Sequence, residues 1–270
     1  MRAISLHPDV IVVTSRVLQT NCTIVKGPVP TGEPPGAAST LETFVVDSPI
    51  LPDELALLPS LIEQARFPAV SGLLVTHADW DHLLARLAFP EGALGCAEST
   101  AARLAAEPGA AQRELRAFDE RLYIVRESPL QLGGAQPLAV PGSCEIGRAE
   151  LELHPAEGHT PDGMAVWIGW AQVLVPGDYL SSLEIPTLAG RPAIDSYLAT
   201  LGRLRPLVRR AEQVVPGHGP PIDGTRALEV LEEDVAYLEA LRESGREAPL
   251  PAGRRSGAQR ELHAANVAAL

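Results

Sequence analysis

Apolar residues along this chain gather into short runs that end at glycine, proline or ionisable side chains. Val10 to Val13, Cys22 to Val25 and Thr43 to Val46 read as strands, the last closing on Asp47. Residues 27–38 carry four prolines and three glycines and read as a turn-rich surface excursion, because a strand resumes at once. Leu55, Leu58 and Ile62, spaced as on one helix face behind Pro52, predict a helix over 53–64. The apolar run ending at Val75 is then a buried strand that delivers His77, Asp79, Asp81 and His82 into a loop. The second half repeats this grammar. Ala93 to Cys96 is a short apolar segment, followed by a helix with Ser99 or Thr100 as N-cap and a charged helix over 112–121 with a solvated face. Strands broken by glycine fill 130–168, and Ala149 to His154 alternates as a half-buried strand does. Val173 to Val175 ends in Pro176-Gly177-Asp178, a helix spans 196–211, and Gln213 to Val215 runs into Pro216-Gly217-His218-Gly219. A long helix covers about 225–242, and the Gly-, Pro- and Arg-rich tail from Ser244 reads as a loosely packed extension, residues 244–270, of a domain spanning 1–243.

Composition narrows the class without naming a function. A chain of 270 residues with 46% hydrophobic and 21% charged residues can bury a sizeable core and sits in the ordinary globular range. The net charge of -12 opposes phosphate neutralisation, so nucleic acid is a disfavoured partner. Cys22, Cys96 and Cys144 are odd in number and form no CxxC pair, which points to buried thiols in a reducing compartment. No basic-then-apolar leader opens the chain, and no apolar run approaches the ~20 residues of a membrane span. The expectation is a cytoplasmic protein with no membrane partner.

Ionisable residues recur where strands stop. Two imidazoles and two carboxylates within six residues after Val75 are costly to bury unless a cation coordinates them. Read alone, the loop has a plainer account, in which Asp81 caps a helix starting at Leu83 and Asp79 is solvated. Three further strand ends change the balance: Gly158-His159-Thr160, Gly177-Asp178 and Gly217-His218-Gly219. His7, His154 and His263 lie outside any such motif. Trp80 and Tyr179, adjacent to candidate ligands, are candidate substrate-binding residues, with core packing as the alternative for each.

Taken in order, these four elements resemble the metallo-β-lactamase superfamily over about residues 10–240, with HADWDH standing where the family has HxHxDH. The resemblance implies an α/β fold, an αββα sandwich of two mixed sheets with helices on the outer faces. It implies His77 and His159 as ligands of a first metal ion, Asp81, His82 and His218 as ligands of a second, and Asp178 as the bridge between them. Two dications held about 3.5 to 4 Å apart repel, and a shared carboxylate offsets that repulsion. Asp79 replaces the family's second histidine. As a ligand it adds negative charge and hardens the site toward iron or manganese, a glutamate at that position being a feature of flavodiiron oxidoreductases. One or two divalent ions are implied, zinc first. The leading expectation is a metal-dependent hydrolase of a small ester, thioester or lactone, with Asp81 orienting the attacking hydroxide. Two alternatives stay open, an iron-dependent oxidoreductase of the flavodiiron or persulfide dioxygenase type and a non-catalytic metal-binding module. No feature addresses the oligomeric state.

Overall fold

The structure, a computed structural model, describes residues 1–29, 41–188 and 193–270, so most of the excursion expected over 27–38 lies outside the described residues. Four strands open the chain and pair antiparallel in order: β1 (Arg2–His7), β2 (Val10–Thr14), β3 (Asn21–Lys26) and β4 (Thr43–Asp47). Helix α1 (Pro52–Gln64) begins at a proline with Asp53 and Glu54 in its first turn, where the helix dipole favours anions. It returns the chain so that β5 (Val70–Val75) lies parallel to β4, with Val45 opposite Leu73. A 3-10 turn over Trp80–His82 and helix α2 (Ala85–Ala88) lead to β6 (Ala93–Ala97). Helices α3 (Glu98–Ala106) and α4 (Ala110–Leu122) lead on to β7 (Gln136–Leu138), which completes a seven-stranded sheet.

The second sheet has six strands: β8 (Gly142–Ile146), β9 (Ala149–Pro155), β10 (Met164–Ile168), β11 (Val173–Val175), β12 (Gln213–Val214) and β13 (Ile222–Asp223). Its pairings are antiparallel except β11 with β12, which are joined through α5 (Ala193–Val208). Helices α6 (Gly224–Ser244) and α7 (Gly257–Ala268) finish the chain.

Alternation along the strands assigns the layers. Val10, Val12, Val46 and Leu74 of the first sheet meet Leu151, Leu153, Val166 and Val175 of the second in a shared core. The intervening residues Val13, Ile24, Val45 and Leu73 turn outward, onto Leu55 and Leu58 of α1 and Leu115 and Phe118 of α4. On the far side Trp167, Leu174 and Val214 pack against Tyr197 and Leu201 of α5 and Val230 and Leu238 of α6. The central strands are covered on both faces, which is why Val10-Ile11-Val12-Val13 reads as an unbroken apolar run, while β1, β8 and β9 keep exposed positions. Each fully buried Leu, Ile or Val contributes about 1.5–3 kcal/mol over its exposed state. The arrangement is the αββα sandwich.

Three local expectations are corrected. Helix α3 begins at Glu98 with Ala97 at its cap, and Thr100, expected as a cap, is buried. Asp81 lies inside the 3-10 turn, which Asp79 precedes, so Asp81 caps no helix. The tail is also held firmly. Arg254 is 1% exposed and pairs with Asp234, while Gln259 and Asn266 are buried. Their side chains bond to the backbone of residues 181–188: Gln259 accepts from Ile185 N–H at 2.7 Å, Asn266 accepts from Leu188 N–H at 3.1 Å, and Arg254 donates to the Glu184 carbonyl at 2.8 Å. Polar composition suggested looseness, but these polar groups are the fastenings.

Candidate metal centre

Every candidate ligand sits just past a strand: His77, Asp79, Asp81 and His82 after β5, His159 between β9 and β10, Asp178 after β11 and His218 after β12. The sandwich brings these loops together at one end. Asp178 is at the middle, with Oδ2 3.2 Å from Nε2 of His159, 3.2 Å from Nε2 of His218 and 3.8 Å from Nε2 of His77. Its Oδ1 is 3.2 Å from Nε2 of His82. Asp79 Oδ2 lies 3.6 Å from Nε2 of both His77 and His159, and Asp81 Oδ2 lies 3.3 Å from Nε2 of His218. Three ligand-type triads result, His77 with Asp79 and His159, Asp81 with His82 and His218, and His77 with His82 and Asp178 between them, each with donor atoms within 4.8 Å of one another. All seven sequence-designated side chains are therefore in one cluster.

Local backbone choices make this approach feasible. A Cβ on Gly217 would stand 1.8 Å from Asp178 Oδ1, so only glycine lets the His218 turn close over the carboxylate. Gly158 has φ +127°, and a Cβ there would lie 2.4 Å from the Tyr197 nitrogen.

Hydrogen bonds fix which nitrogen of His77 and of His218 faces inward. The Thr76 hydroxyl donates to Asp47 Oδ2 at 2.9 Å, so at 3.1 Å from His77 Nδ1 it must accept, and the His77 proton sits on Nδ1. His218 Nδ1 lies 2.9 Å from the Leu18 carbonyl, which can only accept. Asp47 Oδ2 lies 3.0 Å from His82 Nδ1. In His77 and His218 these contacts leave Nε2 as the nitrogen facing Asp178, the arrangement a metal ligand needs, whereas Nδ1 of His82 has the close approach of Asp47 but no hydrogen bond.

Those inner atoms lack partners. Nε2 of His77, His82 and His159 and Oδ1 of Asp178 are buried with no hydrogen bond. A buried unsatisfied polar atom costs about 1–3 kcal/mol, so four together call for a species that coordinates them all. Imidazole nitrogens and carboxylate oxygens in this number suit a divalent transition ion, and the residues present fit one or two. Electrostatics agree. Burial opposes charge on His159, but Asp178 and Asp79 outweigh it and raise the group to about 10. His82 and His218 are raised the same way, with Asp178 the main cause against burial. Burial likewise resists ionisation of Asp178, and the surrounding imidazoles overcome it and hold the carboxyl well below its usual range. Three carboxylates here demand positive charge, which protons or metal ions supply.

The two substrate-binding designations do not fit. The Trp80 ring packs on Phe118 of α4 with centroids 4.5 Å apart, in the layer outside the first sheet. Tyr179 is 2% exposed, and its hydroxyl accepts the His159 N–H at 3.0 Å and donates to the Ala156 carbonyl, so it braces the His159 loop. Side chains without a sequence designation stand beside the cluster. Glu184, Ser181, Ile185 and Thr187 line a cavity shared with His159, Asp178 and His218. Arg103 of α3 reaches Asp79 and Asp162. Burial pushes the Cys96 thiol up to about 11, the opposite of what a nucleophile needs.

The profile of the metallo-beta-lactamase superfamily matches residues 55–218, more than half of the chain, and the chain belongs to that superfamily. Among solved structures, the fold is similar to the metallo-beta-lactamase family protein TTHA1429 from Thermus thermophilus, with TM-score 0.66 and 20% identity over 89% of this chain and 82% of that one. A beta-lactamase domain protein from Burkholderia ambifaria aligns with TM-score 0.63 and 19% identity over 97% and 84%. The stereoselective inverting sec-alkylsulfatase Pisa1 from Pseudomonas sp. aligns with TM-score 0.65 and 13% identity, over 97% of this chain and 47% of that longer one. No curated protein matches the sequence. These likenesses establish the fold; the chemistry rests on the site. Among the described residues, no helix is long and apolar enough to cross a membrane.

Proposed function

We propose that this protein is a metal-dependent hydrolase of a small ester, thioester or lactone carrying no net negative charge, with zinc as its metal. The carrying observation is Asp178, whose carboxylate stands between two His/Asp triads, with the inner nitrogens of His77, His82 and His159 making no hydrogen bond. Divalent ions bound there would acidify water toward pKa ~7 and polarise the scissile carbonyl. His77, Asp79 and His159 would hold one ion, Asp81, His82 and His218 the other. Asp81 accepts a hydrogen bond from the attacking water and orients it toward the carbonyl carbon. Thr76, held by Asp47, and the Leu18 carbonyl keep His77 and His218 in the coordinating tautomer.

The charge of the substrate follows from the cavity wall. Glu184 lines the cavity beside the ligands, and the other acidic lining residue outside the ligand set, Asp234, is paired with Arg254. An anionic sulfate or phosphodiester would meet the Glu184 carboxylate, while the guanidinium of Arg254 behind that wall is already taken up by Asp234, Glu233 and backbone carbonyls, which costs affinity. The same argument disfavours nucleic acid. Three free cysteines accord with a reducing, cytoplasmic setting.

The test is a panel of neutral esters, thioesters and lactones beside sulfate esters and phosphodiesters, assayed on zinc-loaded protein. Turnover of a neutral class that disappears in Asp178→Ala and His218→Ala supports the reading. Glu184→Lys should shift relative kcat/KM toward anionic esters. Preference of the native protein for a sulfate ester or phosphodiester would overturn the substrate assignment, and full activity in both ligand variants would overturn the mechanism.

A further inference from the structure

The family pattern has a histidine where this chain has Asp79, and the structure supplies a compensating residue. Arg103, 24 positions later on α3, places Nη2 2.8 Å from Asp79 Oδ1. Its other terminal nitrogen, Nη1, is 2.8 Å from Oδ1 of Asp162, a carboxylate 1% exposed whose Oδ2 accepts the Ala78 N–H at 2.9 Å. The guanidinium therefore spans two carboxylates and ties the strand-end loop to the loop after His159. Only Oδ2 of Asp79 then faces the imidazoles, 3.6 Å from Nε2 of His77 and of His159.

This arrangement matters because a free aspartate and a histidine are different ligands. Histidine offers one nitrogen and no charge, whereas a free carboxylate offers two oxygens, can chelate through both, and brings a full negative charge. Two-oxygen chelation raises coordination number and favours the hard, oxygen-seeking ions, while three single donors suit the low coordination of zinc. With Oδ1 occupied by a planar, always charged donor, Asp79 is left one oxygen, and its charge is shared with the guanidinium.

We propose that Arg103 is a positioning residue that makes Asp79 a single-oxygen ligand in place of the family histidine, and so sets the metal selectivity of the first site toward zinc over manganese or iron. The inference rests on the two-triad metal reading above. It reverses the expectation, drawn from Asp79 alone, of a site hardened toward iron or manganese.

The experiment equilibrates metal-free protein with equimolar zinc and manganese and measures the bound ratio by elemental analysis after desalting. Asp81, His82 and His218 are common to all variants, so differences report the first site. Arg103→Met should raise the bound manganese-to-zinc ratio about ten-fold, the scale on which groups supporting a ligand act. In an Asp79→His background the same Arg103→Met change should leave the ratio unmoved, because no carboxylate remains to be held. A ratio indifferent to Arg103 in the native background overturns the inference, as does an equal shift in both backgrounds. Arg103→Met strips a partner from buried Asp162. If far-UV circular dichroism shows that it fails to fold, Arg103→Lys is read instead. That variant keeps the charge but cannot span both carboxylates, so it should shift the ratio in the same direction, and an unchanged ratio overturns the inference. Native protein that takes up neither ion refutes the metal reading itself, a result distinct from ions bound without regard to Arg103.

Discussion

Asp47 Oδ2 lies 3.0 Å from Nδ1 of His82, at a backbone position with φ 57° that closes β4. The same carboxylate accepts the Thr76 N–H at 2.8 Å and the Thr76 hydroxyl at 2.9 Å, so one side chain orients a ligand of each triad. Asp47→Asn keeps the size and tolerates the left-handed backbone but loses the charge that holds the His82 ring. Affinity for the second ion should fall about ten- to a hundred-fold, measured by competition with a metal chelator. Unchanged affinity would mean that Asp47 is only a strand terminator.

Gly217 has no strained backbone to explain it; its role is proximity. Gly217→Ala would drive a methyl group into the space of Asp178 Oδ1. Asp178 must swing away, and a shift of about 1 Å at a reacting centre is enough to cost about a hundred-fold in turnover. Metal content by elemental analysis should drop together with activity, while the circular dichroism spectrum stays native.

The link between the tail and the cavity wall predicts local dynamics. Gln259→Ala leaves the buried Ile185 N–H without its acceptor, at a cost of about 1–3 kcal/mol. Amide hydrogen exchange in residues 181–188 should accelerate while β2 and β5 remain protected. Uniform exchange across the chain would indicate global destabilisation and no specific fastening of the wall.

Glu54 contributes to the response to acid. Its carboxylate accepts from the Ser15 hydroxyl at 2.6 Å, Arg16 N–H at 2.9 Å and Leu51 N–H at 3.2 Å. Burial resists its ionisation, but these donors outweigh burial and lower its pKa. A carboxyl depressed in the folded state contributes stability that is fully present above its unfolded pKa, about 4.3, and is lost as pH falls through the folded value. Urea unfolding as a function of pH should show this loss below about pH 4.3 in native protein and a flatter profile in Glu54→Gln.

Much of this fold was legible because a central strand covered on both faces has no polar position, and Val10 to Val13 has none. Strand β1 was not: Arg2–His7 is an exposed edge with mixed residues, and its pairing to β2 leaves no unbroken apolar run. The ligand-type residues could be read because histidine and aspartate at four strand ends are improbable as structure alone. Arg103 was hidden. From sequence it is one more charge on a helix, four residues before Glu107, and nothing local tells of Asp79 across the loop. Adjacency misled at Trp80 and Tyr179, since neighbours in sequence can face different layers. In the tail, Arg254, Gln259 and Asn266 resemble solvated polar residues until their backbone acceptors and donors in 181–188 are seen.

Anomalous X-ray scattering from crystals grown with zinc reads out whether two cations flank Asp178. Two peaks about 3.5–4 Å apart are expected, both in contact with the Asp178 carboxylate, one beside His77, Asp79 and His159 and the other beside Asp81, His82 and His218. Peaks elsewhere, or an empty cluster with Asp178 bonded only to protonated imidazoles, would contradict the two-cation centre.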